Sequence, residues 1–545
     1  MATISRARAF LLTTAAAVVL TGCDGADSVA SPGAGSITIV TPAPTPTPTA
    51  TGTPTPTAIT AAQFAAATTV NTISVTPDEQ LALVNAGANN NVNGVGAALN
   101  GVYPAGAASL AGATDPSAIN SFFQSTNYVG ALNGPTDTSF QQWTCNSTSA
   151  EFGGSGARCT AVPAVGTLGA GQACPTGTIT ASGAANTATA ATIGGFKVCD
   201  IPQAVTSNLT LPRIPGIIYR LTGQTEVGAD LGSTGGAGVT LTVEPGVTVF
   251  ANSNEATNDL LLVNRGSRIQ AVGTRDAPII FTSQQNLVAN GVSDASQGQW
   301  GGVILLGRAP VGVCAAGTGP NNAAGSSTTC QQAIEGVTGR FYGGPTAADN
   351  SGTMSFVQIR YSGIAISDGN ELQGLTLGGT GSGTTLNNIQ IHNSADDGIE
   401  IFGGTTNVRY IAVTGADDDG FDIDNGYRGF MQFMIAAQRL VGATADSFST
   451  EIDSNNAEDL LPRTFSTYAN FTFIQTAAAP AAVRQRGGSD MRYVNGVIRS
   501  SVPCLNIVAG EQTAGGRTTV RPADAALQEF GPPTFNSIYF ACSNR

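Results

Sequence analysis

The sequence has one lysine, Lys197, and one histidine, His392, and charged residues make up only 11% of it. A single histidine excludes a multi-histidine metal centre, and no Ser-His-Asp arrangement for nucleophilic catalysis is visible around it. Basic residues number 23 against 36 acidic ones, for a net charge of -13. Nucleic-acid binding needs clustered cations to neutralise phosphates, so this balance argues against nucleic acid as a partner. There is no close Cys-x-x-Cys pair to hold zinc.

What is present begins with an export signature. Arg6 and Arg8 precede an apolar run from Ala9 to Leu20 that is too short to span a bilayer comfortably. Leu20-Thr21-Gly22-Cys23 follows and resembles a bacterial lipobox. Residues 1–22 are therefore expected to be a lipoprotein signal peptide, with Cys23 the lipidated first residue of the mature chain. The expected location is an anchored one, on the outer membrane or cell surface. Residues 23–60, with Thr-Pro repeats between Thr41 and Pro56, read as an extended tether. Apart from Cys23, eight cysteines remain, and an even count in an exported chain implies disulfides. Pairing of neighbours gives Cys145–Cys159, Cys174–Cys199, Cys314–Cys330 and Cys504–Cys542.

The chain is organised around a repeat. Asp396-Asp397-Gly398-Ile399-Glu400-Ile401 returns as Asp418-Asp419-Gly420-Phe421-Asp422-Ile423, 22 positions later. Leu386, Val408 and Phe430 echo the same spacing, as do Ile389, Ile411 and Phe433, and Ile391, Val413 and Ile435. A repeat this short, rich in Gly, Thr, Asn and Asp, is one coil of a solenoid of short strands. The expected fold is all-β: a right-handed, single-stranded parallel β-helix over 206–545. Residues 312–350 and 440–465 read as insertions into it. Residues 61–205 have little periodicity, with short helices expected at 61–67 and 77–86. They are assigned to an irregular N-terminal capping region, because a solenoid end exposes core and strand edges.

Several of these segments resemble a family of exported bacterial right-handed parallel β-helix proteins, many of them lipoproteins and largely uncharacterised. The resemblance rests on Trp300-Gly301-Gly302, the runs Gly374 to Gly379, Asp396 to Gly404 and Asn407 to Gly415, Glu451-Ile452-Asp453, Pro462-Arg463, and Ala469 to Thr472. It covers about 206–510, and the Phe122 to Cys145 segment resembles a further motif of such proteins. It implies the fold and export, and carries no catalytic residues with it.

Alternation within a strand gives the candidate site. If Ile399, Ile401, Phe421 and Ile423 point inward, Glu400 and Asp422 point outward. Glu451-Ile452-Asp453 reads as the next coil, with Glu451 beside Asp422 and Asp453 beside Asp424, and Arg484 then continues the column. The outward face reads Thr376, Glu400, Asp422, Glu451, Arg484, with Arg486 close by. Like charges opposed on a sheet repel, and a cation would offset the repulsion. Ca²⁺ is the candidate, with Glu400, Asp422, Asp424, Glu451 and Asp453 as ligands. A solvated acidic face with arginine counter-ions is the competing reading. Asp396, Asp397 and Asp417 to Asp419 read first as turn caps. The favoured function is a surface or periplasmic binding module for a glycan or an outer-membrane protein partner. The alternative is a Ca²⁺-dependent lyase of acidic polysaccharide, with Arg484 or Arg486 as the base. A glycoside hydrolase is less favoured, because the Gly-His-Gly and Arg-Ile-Lys motifs of pectin hydrolases are absent.

Overall fold

The structure, a computed structural model, describes residues 57–58, 112–133, 136–153, 157–180, 192–193, 195–252, 258–314, 329–367, 370–439, 443–454, 460–476, 479–507, 519, 522–531 and 533–542. The expected signal peptide, Cys23, nearly all of the tether and the two short helices expected at 61–67 and 77–86 lie outside these residues.

Short β-rich runs punctuated by glycine cannot build long helices, and they pair instead as stacked rungs. Ten strands follow one another along one face: Ala204–Val205, Gln224–Val227, Leu260–Val263, Val303–Leu306, Leu375–Gly378, Ile399–Phe402, Phe421–Asp424, Thr450–Ile452, Val483–Gln485 and Leu505–Ile507. Each pairs in parallel with the next. The other strands of the coils form a 17-stranded sheet that closes the solenoid. The protein is an all-β parallel β-helix.

The core is a continuous column of buried aliphatic and aromatic side chains. Leu375, Leu377, Ile399, Ile401, Phe421 and Ile423 enter it from the ten-stranded face, opposite Leu386, Ile389 and Ile391 and their equivalents. Three-residue gaps such as Leu386 to Ile389 mark a bend inside each long strand. The residue at the bend is left-handed in coil after coil: Phe356, Asn388, Tyr410, Phe433, Asn470 and Asn495 all have φ between 51° and 61°. Asparagine tolerates that region, whereas aromatic residues there are strained. Glycine is needed just before four of the site-face strands, at Gly302, Gly374, Gly398 and Gly420. A Cβ on Gly398 would lie 2.2 Å from Val413 Cγ1 and 2.8 Å from the Gly420 carbonyl oxygen.

The coil length is not constant. Thr385 pairs with Asn407, as a 22-residue repeat requires, but Val408 pairs with Met431 and Ile411 with Met434. The corner at 425–429 is one residue longer than the one at 403–406. The expected equivalence of Phe430, Phe433 and Ile435 with Val408, Ile411 and Val413 is therefore corrected by one position. Phe433 lands at the bend and Ile435 points out of the main core.

Within the stretch expected to cap the solenoid, residues 114–153 run along its flank instead. Their backbone is stitched to side chains on the bend edge. Gln390 exchanges two hydrogen bonds with the backbone of Cys145, at 2.7 and 3.0 Å, and Gln432 does the same with Gln124, at 2.7 and 2.9 Å. Asn470 donates to the Tyr128 carbonyl and Asn495 to that of Thr114. Phe140 and the fully buried Trp143 cover Tyr410, Phe433 and Phe356, so ring stacking offsets the strain at those bends. Leu168 and Cys174 pack on the first coil.

Cys145–Cys159, Cys174–Cys199 and Cys314–Cys330 are disulfides. Cys504 is disulfide-bonded too, and the Cys542 side chain lies outside the described residues. Three or more disulfides point to an oxidising, extracytoplasmic compartment. Among the described residues, no helix is long and apolar enough to cross a membrane.

Candidate functional site

On the outward side of the ten-stranded face, the register runs Thr376, Glu400, Asp422, Glu451, Arg484, Asn506. The insertion after Ala437 does not displace Glu451 from this column. The same column begins earlier than expected, with Ala204, Glu226, Leu262 and Ile304.

The column is not a solvated face. Glu400, Glu451 and Arg484 are 6–7% exposed. The covering comes from the insertions. Ile334, Val337 and Tyr342 pack on the outward Leu262, Ile304 and Phe402, and the Cys314–Cys330 bridge staples this segment. From it, Glu335 reaches the Glu400 carboxyl. At the other end, the second insertion brings in Asp446, Ser447 and Phe448.

The acidic residues divide into two groups. Glu451 and Asp453 belong to an ion network. Arg484 NH1 lies 3.2 Å from both Asp446 Oδ2 and Glu451 Oε2, and Arg486 Nε lies 2.6 Å from Glu451 Oε1 and 3.1 Å from Asp453 Oδ2. Arg484 also sits over the Phe448 ring. The second group has no such partner among the described residues. One ligand oxygen each from Asp397, Glu400 and Asp422 lies within 4.8 Å of the other two, and the same holds for Asp396, Asp397 and Asp418. Glu400 Oε2 and Asp422 Oδ1 are buried and accept no hydrogen bond.

Burial followed by mutual repulsion raises the carboxyls of Asp396, Asp397, Glu400, Asp419 and Asp422 well above their ordinary range. For the same reasons Asp418 is pushed up to about 7, although Thr444 opposes this, and Asp424 to about 8. For Glu451 burial outweighs the lowering by Arg486 and Arg484. Burial acts on Arg486 in the direction of proton loss, but Glu451, Asp453, Asp422 and Asp424 win and hold its proton more tightly than usual.

With no hydrogen-bond donor on them, Glu400 Oε2 and Asp422 Oδ1 are left to be satisfied at neutral pH by protons or by a cation. The donor set suits a hard divalent ion. Two oxygens that share one Ca²⁺ at about 2.4 Å can be at most ~4.8 Å apart, which the trio Asp397, Glu400 and Asp422 meets.

A family model for pectate-lyase-like β-helix domains matches residues 204–529. The chain belongs to that family. No curated protein and no solved structure matches it. In this pectate-lyase-like β-helix the Asp residues before the strands combine two duties. Asp397 Oδ1 caps the Asp419 N–H at 2.9 Å, while the same carboxylate lines the acidic trio. The turn reading of Asp397 covered only the first duty, and its place immediately before the Gly398 turn was the available signal. Glu335 and Asp446 had no signal at all, since they sit in insertions outside the repeat. His392 is buried against Tyr361, bonded to Thr414 Oγ1 at 2.9 Å, and burial pushes its ring down to about 3. It is a neutral packing residue of the pectate-lyase-like coil.

Proposed function

We propose that this chain is an exported binding module whose acidic trio, Asp397, Glu400 and Asp422, holds a divalent cation, Ca²⁺ by donor chemistry. The bound ion presents its remaining coordination positions to a carboxylate of an acidic glycan. The carrying observation is the pair of buried, unpartnered oxygens, Glu400 Oε2 and Asp422 Oδ1. Such a pair is costly without a counter-ion and is the expected lining of a cation site. Glu451 and Asp453, also candidate ligands, act here as the acceptors that fix Arg484 and Arg486, and Asp424 accepts the Asn425 N–H. The protein is held at a membrane through lipid on Cys23, with the body standing off on its tether.

A second reading, Ca²⁺-dependent lyase action on acidic polysaccharide, is favoured by the family description. It requires a base that gives up its proton, and both candidates are held by carboxylates that oppose this: Arg484 by Asp446 and Glu451, and Arg486 by Glu451 and Asp453. The binding reading therefore takes precedence. Calorimetric titration of the chelator-stripped chain with Ca²⁺ tests it. Heat of binding is expected in the wild type and is expected to be lost in Glu400→Gln and Asp422→Asn. No heat and no Ca²⁺-dependent rise in melting temperature would sink the cation site. Release of ultraviolet-absorbing unsaturated sugars from uronate polymers would replace binding with catalysis.

A further inference from the structure

A recess lies at the N-terminal end of the outward column. It has a volume of about 480 Å³ and is lined by Gln203, Ala204, Thr206, Gln224, Glu226 and Arg340, among others. That volume falls in the roughly 300–1,000 Å³ range of small-ligand sites. Glu226 shares its column with Glu400, four rungs away, or about 19 Å at ~4.8 Å per rung. The disulfide-stapled insertion stands between the two, touching Glu400 through Glu335 and Glu226 through Arg340. The recess is thus a separate place on the same face, independent of the cation site.

Its charges are already matched. Both oxygens of Glu226 are taken: Oε2 accepts from Arg340 Nε at 2.8 Å and Asn264 Nδ2 at 2.9 Å, and Oε1 accepts from Gln224 Nε2 at 2.7 Å and from Arg340 NH2. The neighbouring Asp230 is held by Arg265 through two bonds, at 2.8 and 2.6 Å. A cation entering here finds no open carboxylate oxygen. An anion finds Arg340 already engaged, and its desolvation would go uncompensated. Uncharged groups remain to make contacts. Gln203 and Thr206 stand exposed at the rim, and Gln224 keeps its amide oxygen as an acceptor. These groups offer donors and acceptors together, which suits hydroxyl groups that do both.

We propose that this recess is a binding subsite for a neutral, hydroxyl-rich glycan unit, positioned by the Glu226–Arg340 pair and bonded through Gln203, Thr206 and Gln224. Binding here needs no metal. The pair is preorganised, because the sheet fixes Glu226 and the insertion fixes Arg340, so the charged wall of the recess need not rearrange on binding.

The test is saturation-transfer NMR and titration of the full mature chain, in the presence of a chelator. The probes are cellotriose, xylotriose, maltotriose and chitotriose, with trigalacturonate as the charged comparison. At least one neutral trisaccharide is expected to bind. Its affinity should fall about tenfold in Gln224→Ala, the loss of one or two hydrogen bonds. Ala204→Trp fills the recess from an exposed position, removes no member of an ion pair and is expected to abolish binding. Glu400→Gln is expected to leave it unchanged. Absence of signal from all four neutral probes would overturn the proposal. So would binding of trigalacturonate alone, or wild-type affinity in Ala204→Trp.

Discussion

Asp490 offers a measurable pH dependence far from the acidic trio. It is 1% exposed and lies against Glu529, whose carboxylate pairs with Arg463 NH2 at 2.8 Å, with both of those side chains fully buried. Asp490 Oδ2 accepts the Phe530 N–H at 3.0 Å, while Oδ1 receives no N–H or O–H. A proton between Asp490 and Glu529 satisfies that oxygen and leaves one negative charge for one arginine. Burial, then Glu529, push the Asp490 carboxyl up from 3.8 to about 8, against the pull of Phe530 and Arg463. Arg428 is the other cation facing it. A carboxyl raised on folding contributes fully below its unfolded value. That contribution disappears as pH climbs through the folded value, here between about 4 and about 8. At about 1.4 kcal/mol per pKa unit, the loss is on the order of 5 kcal/mol. Asp490→Asn replaces the proton with a permanent N–H donor and removes the loss. With an unfolding entropy of about 2.1 cal/mol/K per residue over the roughly 370 described residues, the gain at pH 9 corresponds to ~6 °C. Melting temperatures of wild type and variant, compared from pH 4 to pH 9, are expected to coincide at the acid end and to diverge upward for Asp490→Asn. A difference that stays constant with pH, or a variant that melts lower at pH 9, would refute the shared proton.

Three other changes probe the rest of the chain. Ile411→Asp places an unpaired charge in the fully buried column and is expected to cost at least several kcal/mol, seen as loss of soluble protein or a large drop in melting temperature. Trp143→Ala removes the ring that lies over Phe356 and is expected to cost about 3–5 kcal/mol. Limited proteolysis should then cut within 114–153 before the coils, and equal protection of both regions would contradict the flank assignment. Cys23→Ser is expected to release the protein from membranes or block its maturation, and a variant that fractionates and matures as wild type would remove the lipid anchor.

The parallel β-helix and the order of its site column were both legible in the sequence. Two site-face strands carry a clear register mark, an outward acid between two inward apolar residues, in Ile399-Glu400-Ile401 and Phe421-Asp422-Ile423, and Glu451 and Arg484 stand at the same middle position of Thr450-Glu451-Ile452 and Val483-Arg484-Gln485. Because side chains alternate strictly in a strand, these marks align Glu400, Asp422, Glu451 and Arg484 across corners and insertions of any length. The three disulfides seen in full also follow from nearness along the chain. Other features depended on contacts between distant segments. The extra residue at 425–429 lies in a corner, where no alternation records it, so the bend-side echo slipped by one at Phe433. Residues 114–153 meet their partners more than two hundred positions away, through Gln390, Gln432 and Asn470. The burial of the acidic column comes from Tyr342, Glu335 and Asp446, none of which belongs to the repeat. A carboxylate's ordinary or perturbed character depends on what excludes water from it and which charges stand within a few ångströms. Local alternation sets which way Glu400 points, but only the tertiary packing of the insertions over it makes it a buried, unpaired acid.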